Sequence, residues 1–381
     1  MATSWAVNPL ARVRQEASGA DVAWVVDAPI PREGLRSTVV TPGSLPAAHW
    51  FFSALARGGD APAAVDDATL AELGAVGFLV AAASVPRPVA FSVPLAAGDG
   101  PGPVDDAAGW VPNRDLRWID LPGEPPLARG RAVVVGDPVR GVESTFWPDE
   151  ALAATIEGLR SGTVSSDQVA AGEAEVLVEA GILVGPDHAE AAAAFERRLA
   201  VARASMLGTG YAALSGLFPE RYVEAIRRYY REAIAEGLLR FGDAQTGRRY
   251  NAHNEALGMW LHARLAPLVQ RVVTEPVRAS YSYVAGYLSG ADLPRHTDRA
   301  QCRFTLSYAV DFTGPAGAAP WPFCLECPQD EAVVQCLLEP GQAVLFRGCD
   351  LSHFRDPLPD GQTSTSLLFH FVPADFSGDL E

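Results

Sequence analysis

The chain has 381 residues, 48% of them hydrophobic and 20% charged, with a formal net charge of −16. That balance belongs to a soluble globular protein long enough for two or three domains, and the acidic surplus excludes a general nucleic-acid binder, which needs Lys and Arg to neutralise phosphates. No lysine occurs, which removes Schiff-base lysine chemistry and a phosphate-binding P-loop; no apolar run is long enough to span a membrane.

Residues 1–14 lack the basic-then-apolar pattern of a signal peptide, and five cysteines suit a reducing cytosol better than a disulfide framework, so a cytoplasmic location is expected. Residues 1–187 carry what reads as an internal duplication. The first copy runs Phe51-Phe52-Ser53-Ala54-Leu55-Ala56-Arg57-Gly58, then Asp66-Asp67-Ala68-Thr69-Leu70, then Leu73 to Val80. The second runs Ile156-Glu157-Gly158-Leu159-Arg160-Ser161-Gly162, then Ser165-Ser166-Asp167-Gln168-Val169, then Leu177 to Val184. Each predicts a helix, a glycine-bearing loop, an N-cap, a second helix, a glycine stop and an apolar strand. Short strands at 21–26 and 132–135 precede them. The order resembles a winged helix and the small peptide-recognition modules of ribosomal-peptide modifying enzymes. We expect two such α+β units, 1–95 and 96–187, serving as a scaffold or a peptide dock, with a purely structural cap as the plainer reading.

A third domain is expected over 188–381. Helices are predicted at 188–207, 217–238 and 256–273, the second with Ile226, Tyr229, Tyr230 and Ile234 near one face. Between the last two lies a polar loop, Gln245 to Glu255. Short strands follow at 279–284, 303–310, 333–338, 343–346 and 365–372, separated by Gly and Pro turn signals, which suggests a sandwich or jelly roll. Four cysteines, Cys324, Cys327, Cys336 and Cys349, offer a CxxC half-site for zinc but no paired second half. Buried thiols are the alternative.

The most chemical feature is His296-Thr297-Asp298, with His353 following 55 residues after Asp298. In an extended strand, residues two apart point to one side, so His296 and Asp298 can reach one metal while His353 arrives from another strand. Two histidines and one carboxylate form the facial set that holds Fe(II) and leaves three positions open. Cys302, four residues past Asp298, is placed near that metal without being a ligand.

Taken in order, Tyr283-x-x-Gly286, His296-x-Asp298, Arg303-x-Thr305, Pro340-Gly341-x-Ala343-x-x-Phe346 and His353 resemble the Fe(II)/2-oxoglutarate dioxygenases, prolyl-hydroxylase-like branch, over residues 205–381. The resemblance implies a double-stranded β-helix, Fe(II), and hydroxylation by O2 coupled to decarboxylation of 2-oxoglutarate. It implies a hydrogen bond from Tyr283 to the co-substrate, and helices and a covering loop that make Arg248, Arg249 and His253 candidates for substrate contact. That family anchors the distal carboxylate with Arg or Lys on the strand after the distal His. Residues 362–372 contain neither. Arg355, two past His353, is the expected anchor, because a guanidinium grips a carboxylate with two parallel bonds. His370 is a second donor, and Arg303 and Arg347 are the runners-up. The substrate is expected to be a peptide, a protein side chain or a small natural-product intermediate. Two alternatives stay open: an Fe(II) enzyme that does not use 2-oxoglutarate, and a non-catalytic peptide-binding protein.

Overall fold

The computed structural model describes residues 4–18, 21–57, 65–96, 109–124, 126–327 and 332–380. They divide into two compact units, Met1–Val89 with Tyr230–Asp243, and Ala90–Tyr229 with Ala244–Glu381.

In the first unit, strands Arg12–Ser18, Asp21–Ile30 and Gly34–Val40 form an antiparallel meander. Trp24, Val26, Ala28 and Val40 present its apolar side to Phe51 and Phe52 on helix Pro46–Ala56 and to Leu73 on helix Asp67–Ala75. The expected N-cap holds: the Asp66 carboxylate accepts from the Thr69 backbone N–H at 2.8 Å, satisfying one of the orphan donors of a helix start. Gly77, at φ 76°, ends that helix where a Cβ would lie 2.9 Å from Ala28 Cβ, so only glycine fits. The chain then runs as Leu79–Ala81, which pairs back on Trp5–Val7. The loop residue Gly58 lies outside the described residues.

The larger unit repeats this order. Leu116–Leu121, Gly130–Gly136 and Glu143–Pro148 make an antiparallel meander. Helices Glu150–Ser161 and Ala171–Glu179 follow, and Leu183–Val184 pairs with Val111–Pro112. Both copies thus carry a three-stranded meander that the apolar patterning only partly revealed. The Ser165 cap differs from expectation. It closes a capping box over the single turn Ser166–Gln168, and the helix proper starts at Ala171.

Beyond helix His188–Thr209, two antiparallel sheets make the body of the unit. The large one has the order Tyr211–Leu214, Ala343–Phe346, Phe304–Thr313, Thr363–Pro373, Val277–Leu288, Arg249–His253. The small one has the order Leu293–His296, His353–Arg355, Phe323–Cys327, Ala332–Cys336. Leu293, Phe323 and Leu325 of the small sheet pack with Ala309, Val344 and Phe346 of the large one, so the inner faces enclose a core in jelly-roll fashion. Helix Ala256–Val273 covers the outer face, where His262 lies against Phe369 and Phe371. One expectation is corrected. The polar stretch after Gln245 is not all loop, because Arg249–His253 pairs with Tyr283–Tyr287 as a strand. Its polar residues hid that strand: Arg249, Tyr250 and Asn251 are all buried.

Candidate metal centre

His296 and His353 face each other as register partners on adjacent antiparallel strands, their ring centroids 4.3 Å apart. Asp298 lies just past the end of the first strand. Its backbone N–H donates to Gly348 O at 2.8 Å, which turns the carboxylate toward both rings. Asp298 Oδ1 is 3.9 Å from His296 Nε2 and 3.7 Å from His353 Nε2. The opposite ring nitrogens are already engaged: His296 Nδ1 lies 2.7 Å from Pro294 O and His353 Nδ1 lies 3.0 Å from Leu351 O. A carbonyl only accepts, so each Nδ1 carries the hydrogen and each Nε2 keeps a lone pair for a metal. The three ligand atoms lie within 4.8 Å of one another. Burial pulls the His353 imidazole below its ordinary range, against the opposing pull of Asp298, and so favours the neutral form that ligates.

Behind the triad sits a second layer. Thr305 Oγ1 donates to Asp298 Oδ2 at 2.8 Å and lies 2.9 Å from His370 Nδ1, so one hydroxyl ties the carboxylate to a fully buried imidazole. Burial lowers the His370 pKa well below its ordinary value, which keeps the ring neutral. Gly348 leaves the room this layer needs. A Cβ there would come within 2.3 Å of Asp298 Oδ2 and 2.5 Å of Cys302 O. Tyr281 Oη lies 3.0 Å from Cys302 Sγ, and burial pushes the Cys302 thiol up to about 12. Asp298, Cys302 and His370 form a second group of donor atoms within 4.8 Å, sharing the carboxylate of the first.

On the distal side of His353 lies Arg355. Its guanidinium is buried, 4.6 Å over the Trp321 ring and 5.3 Å over Phe323. It donates to Trp321 O at 2.7 Å and, among the described residues, has no carboxylate within ion-pair distance. Burial lowers its pKa to about 10. A desolvated cation without a counter-ion is costly, which is the condition of a site built for an anionic ligand. Contacts run onward from Trp321 to Tyr287 (centroids 5.0 Å apart) and from Tyr287 Oη to Arg249 (3.0 Å). The Arg249 guanidinium also lies 5.2 Å from the centre of Tyr283.

The remaining candidates separate. Tyr283 is half-buried on the same strand as Tyr281 and Tyr287. His253 is exposed and stacks on Tyr281 at 4.5 Å. Arg248 is exposed beside Gly290. Arg303 is taken up by a surface ion pair with Asp350 at 2.6 Å, outside the triad. Arg347 anchors a turn through its backbone, which donates to Gly210 O. Cys324, Cys327, Cys336 and Cys349 are not brought together as metal ligands among the described residues, and no disulfide joins them. Thr305, Trp321, Tyr287 and Gly348 had no assigned role in the sequence. For Thr305 the signal was parity: on its strand it shares the inward face with Ser307 and Ala309.

No family model and no curated protein matches the chain. Solved structures to which it is similar include a Pseudomonas putida prolyl-4-hydroxylase (20% identity, 46% of this chain and 98% of the other, TM-score 0.36). Another is HygX from Streptomyces hygroscopicus with nickel, 2-oxoglutarate and hygromycin B bound (14%, 47% and 88%, TM-score 0.38). A third is EctD from S. alaskensis with bound Fe (13%, 46% and 76%, TM-score 0.37).

Proposed function

We propose that this protein is a non-haem Fe(II) oxygenase that uses 2-oxoglutarate and O2 to hydroxylate a peptide, protein side chain or small natural-product intermediate. The observation that carries this reading is the convergence of two Nε2 lone pairs and one carboxylate oxygen, with every other polar atom of the three side chains held by a neighbour. Such a set fits Fe(II) held on one face by His296, Asp298 and His353. When bound, the iron supplies the redox chemistry that activates O2.

The protein residues do the rest. Arg355 offers its unpaired guanidinium to the distal carboxylate of 2-oxoglutarate, and the Trp321 and Phe323 rings around it keep water away and strengthen that ion pair. Thr305 fixes the Asp298 carboxylate so that Oδ1 alone faces the metal. Tyr283, half-buried beside Arg249, is the hydrogen-bonding partner we assign to the co-substrate. His253 and Arg248 stand exposed, where a substrate meets the rim. The two repeated units over residues 1–187 are proposed as peptide docks, which favours a peptide substrate. Purified protein given Fe(II), 2-oxoglutarate and O2 should release succinate, and His353→Ala should release none above background. Succinate release that survives His353→Ala would reject this assignment.

A further inference from the structure

Tyr281 and Cys302 form a redox-active pair beside the triad, and neither belongs to the proposed ligand set. Both are buried, with Tyr281 Oη 3.0 Å from Cys302 Sγ. The tyrosine ring is clamped on its faces. His253 stacks 4.5 Å from its centre at 24°, and His370 lies 4.4 Å from its centre at 38°. The Arg299 guanidinium sits 4.9 Å from the same centroid. A ring held by three neighbours cannot swing away from the sulfur. Meanwhile Cys302 Sγ, a ring nitrogen of His370 and a carboxylate oxygen of the ligand Asp298 lie within 4.8 Å of one another. The pair therefore borders the proposed iron site, and a phenol and a thiol are both side chains that an oxidant formed there could reach.

We propose that Tyr281 and Cys302 become joined by a thioether between Cys302 Sγ and the ring carbon next to the phenol carbon of Tyr281. The proposal rests on the oxygenase reading above. The bond forms at the expense of the S–H bond of Cys302 and one aromatic C–H bond of Tyr281. The pair loses two electrons and two protons. One O2 accepts four electrons, two from the pair and two from 2-oxoglutarate as it loses CO2. One oxygen atom ends in succinate and the other leaves as water with the two protons. The consequence is a rigid covalent strut behind Asp298, linking strand Val277–Leu288 to the turn Ala300–Cys302.

The test is peptide mass spectrometry on the whole protein after incubation with Fe(II), 2-oxoglutarate and O2 without substrate, with succinate measured in the same tube. Trypsin cuts after Arg278, Arg295, Arg299 and Arg303. The expected product is residues 279–295 joined to residues 300–303, lighter than the sum by two hydrogens. The link should survive thiol reduction, and it should be missing without O2 and in Cys302→Ser and Tyr281→Phe. Succinate release with Cys302 fully alkylatable and both peptides separate would overturn the cross-link and leave the oxygenase standing. A link that reduction breaks, or an oxygen atom added to Cys302 instead, would overturn it equally. No succinate would overturn both readings.

Discussion

The first unit and the jelly roll are both antiparallel strands backed by helices, yet they treat buried polarity in opposite ways. The interior of the first unit is aromatic, with Phe52 edge-on to Phe51 and Phe78 at 5.7 and 5.2 Å. Its buried polar side chains are each answered. Asn8 donates to Pro29 O and Gly77 O, Thr69 donates to Asp66, and Glu236 takes three bonds from Arg87. The jelly roll instead buries His353, His370 and Arg355, and among the described residues leaves Arg355 without a carboxylate. Burying an unpaired charge costs several kcal/mol, so a fold keeps one where a ligand completes the pair. The first interior answers its buried polar groups from within, and under the proposed function the second leaves Arg355 for a ligand to pair.

This comparison can be broken by substitution. Phe52→Ala in the first unit should lower stability by about 3–5 kcal/mol in denaturant titration, since it empties a packed aromatic site. A loss below about 1 kcal/mol would show that this core is not tightly packed. Arg355→Leu should do the reverse. Stability should hold or rise as an uncompensated charge is removed, while 2-oxoglutarate affinity falls by roughly 2–5 kcal/mol, or about 30- to 4,000-fold, read by calorimetry. Unchanged affinity would take the anchor role from Arg355.

The smallest effect expected concerns pH. Burial pulls His262 from 6.5 down to about 4, and among the described residues its Nε2 has no hydrogen-bond partner. The unfolded chain takes up a proton near pH 6.5, and the folded chain resists it until about pH 4. Stability present above pH 6.5 is therefore lost as pH falls through that window, by about 3 kcal/mol for the full shift. His262→Leu should flatten that part of the profile, and an unaltered slope would place the titration elsewhere.

The candidate metal ligands were legible because their spacing is local: Asp298 follows His296 by two residues, just past the strand end, and His353 has strand context of its own. The buried placement of Arg355, two past His353 on the same strand, was legible by parity. What the sequence concealed depends on register between distant strands. Thr305 meets His370 only because the two strands pair at those positions. The pairing shifts between Ala279 and Ser282, so Tyr281 lies within the bulge and over His370, and no residue there announces a bulge. Arg249 read as a loop residue because a buried, aromatic-flanked arginine has the same letter as a solvated one. Only the middle strand of each meander was read from the sequence; of the outer strands, Gly34–Val40 buries only its two ends and so lacks an apolar alternation.

The central claim is that His296, Asp298 and His353 hold iron in a form that 2-oxoglutarate can chelate. Anaerobic Fe(II) titration, with absorbance spectra before and after adding 2-oxoglutarate, tests it most directly. The account predicts a new visible charge-transfer band that saturates at one iron per chain and vanishes in His296→Ala. Iron binding with no band, or a band that persists in His296→Ala, would contradict it.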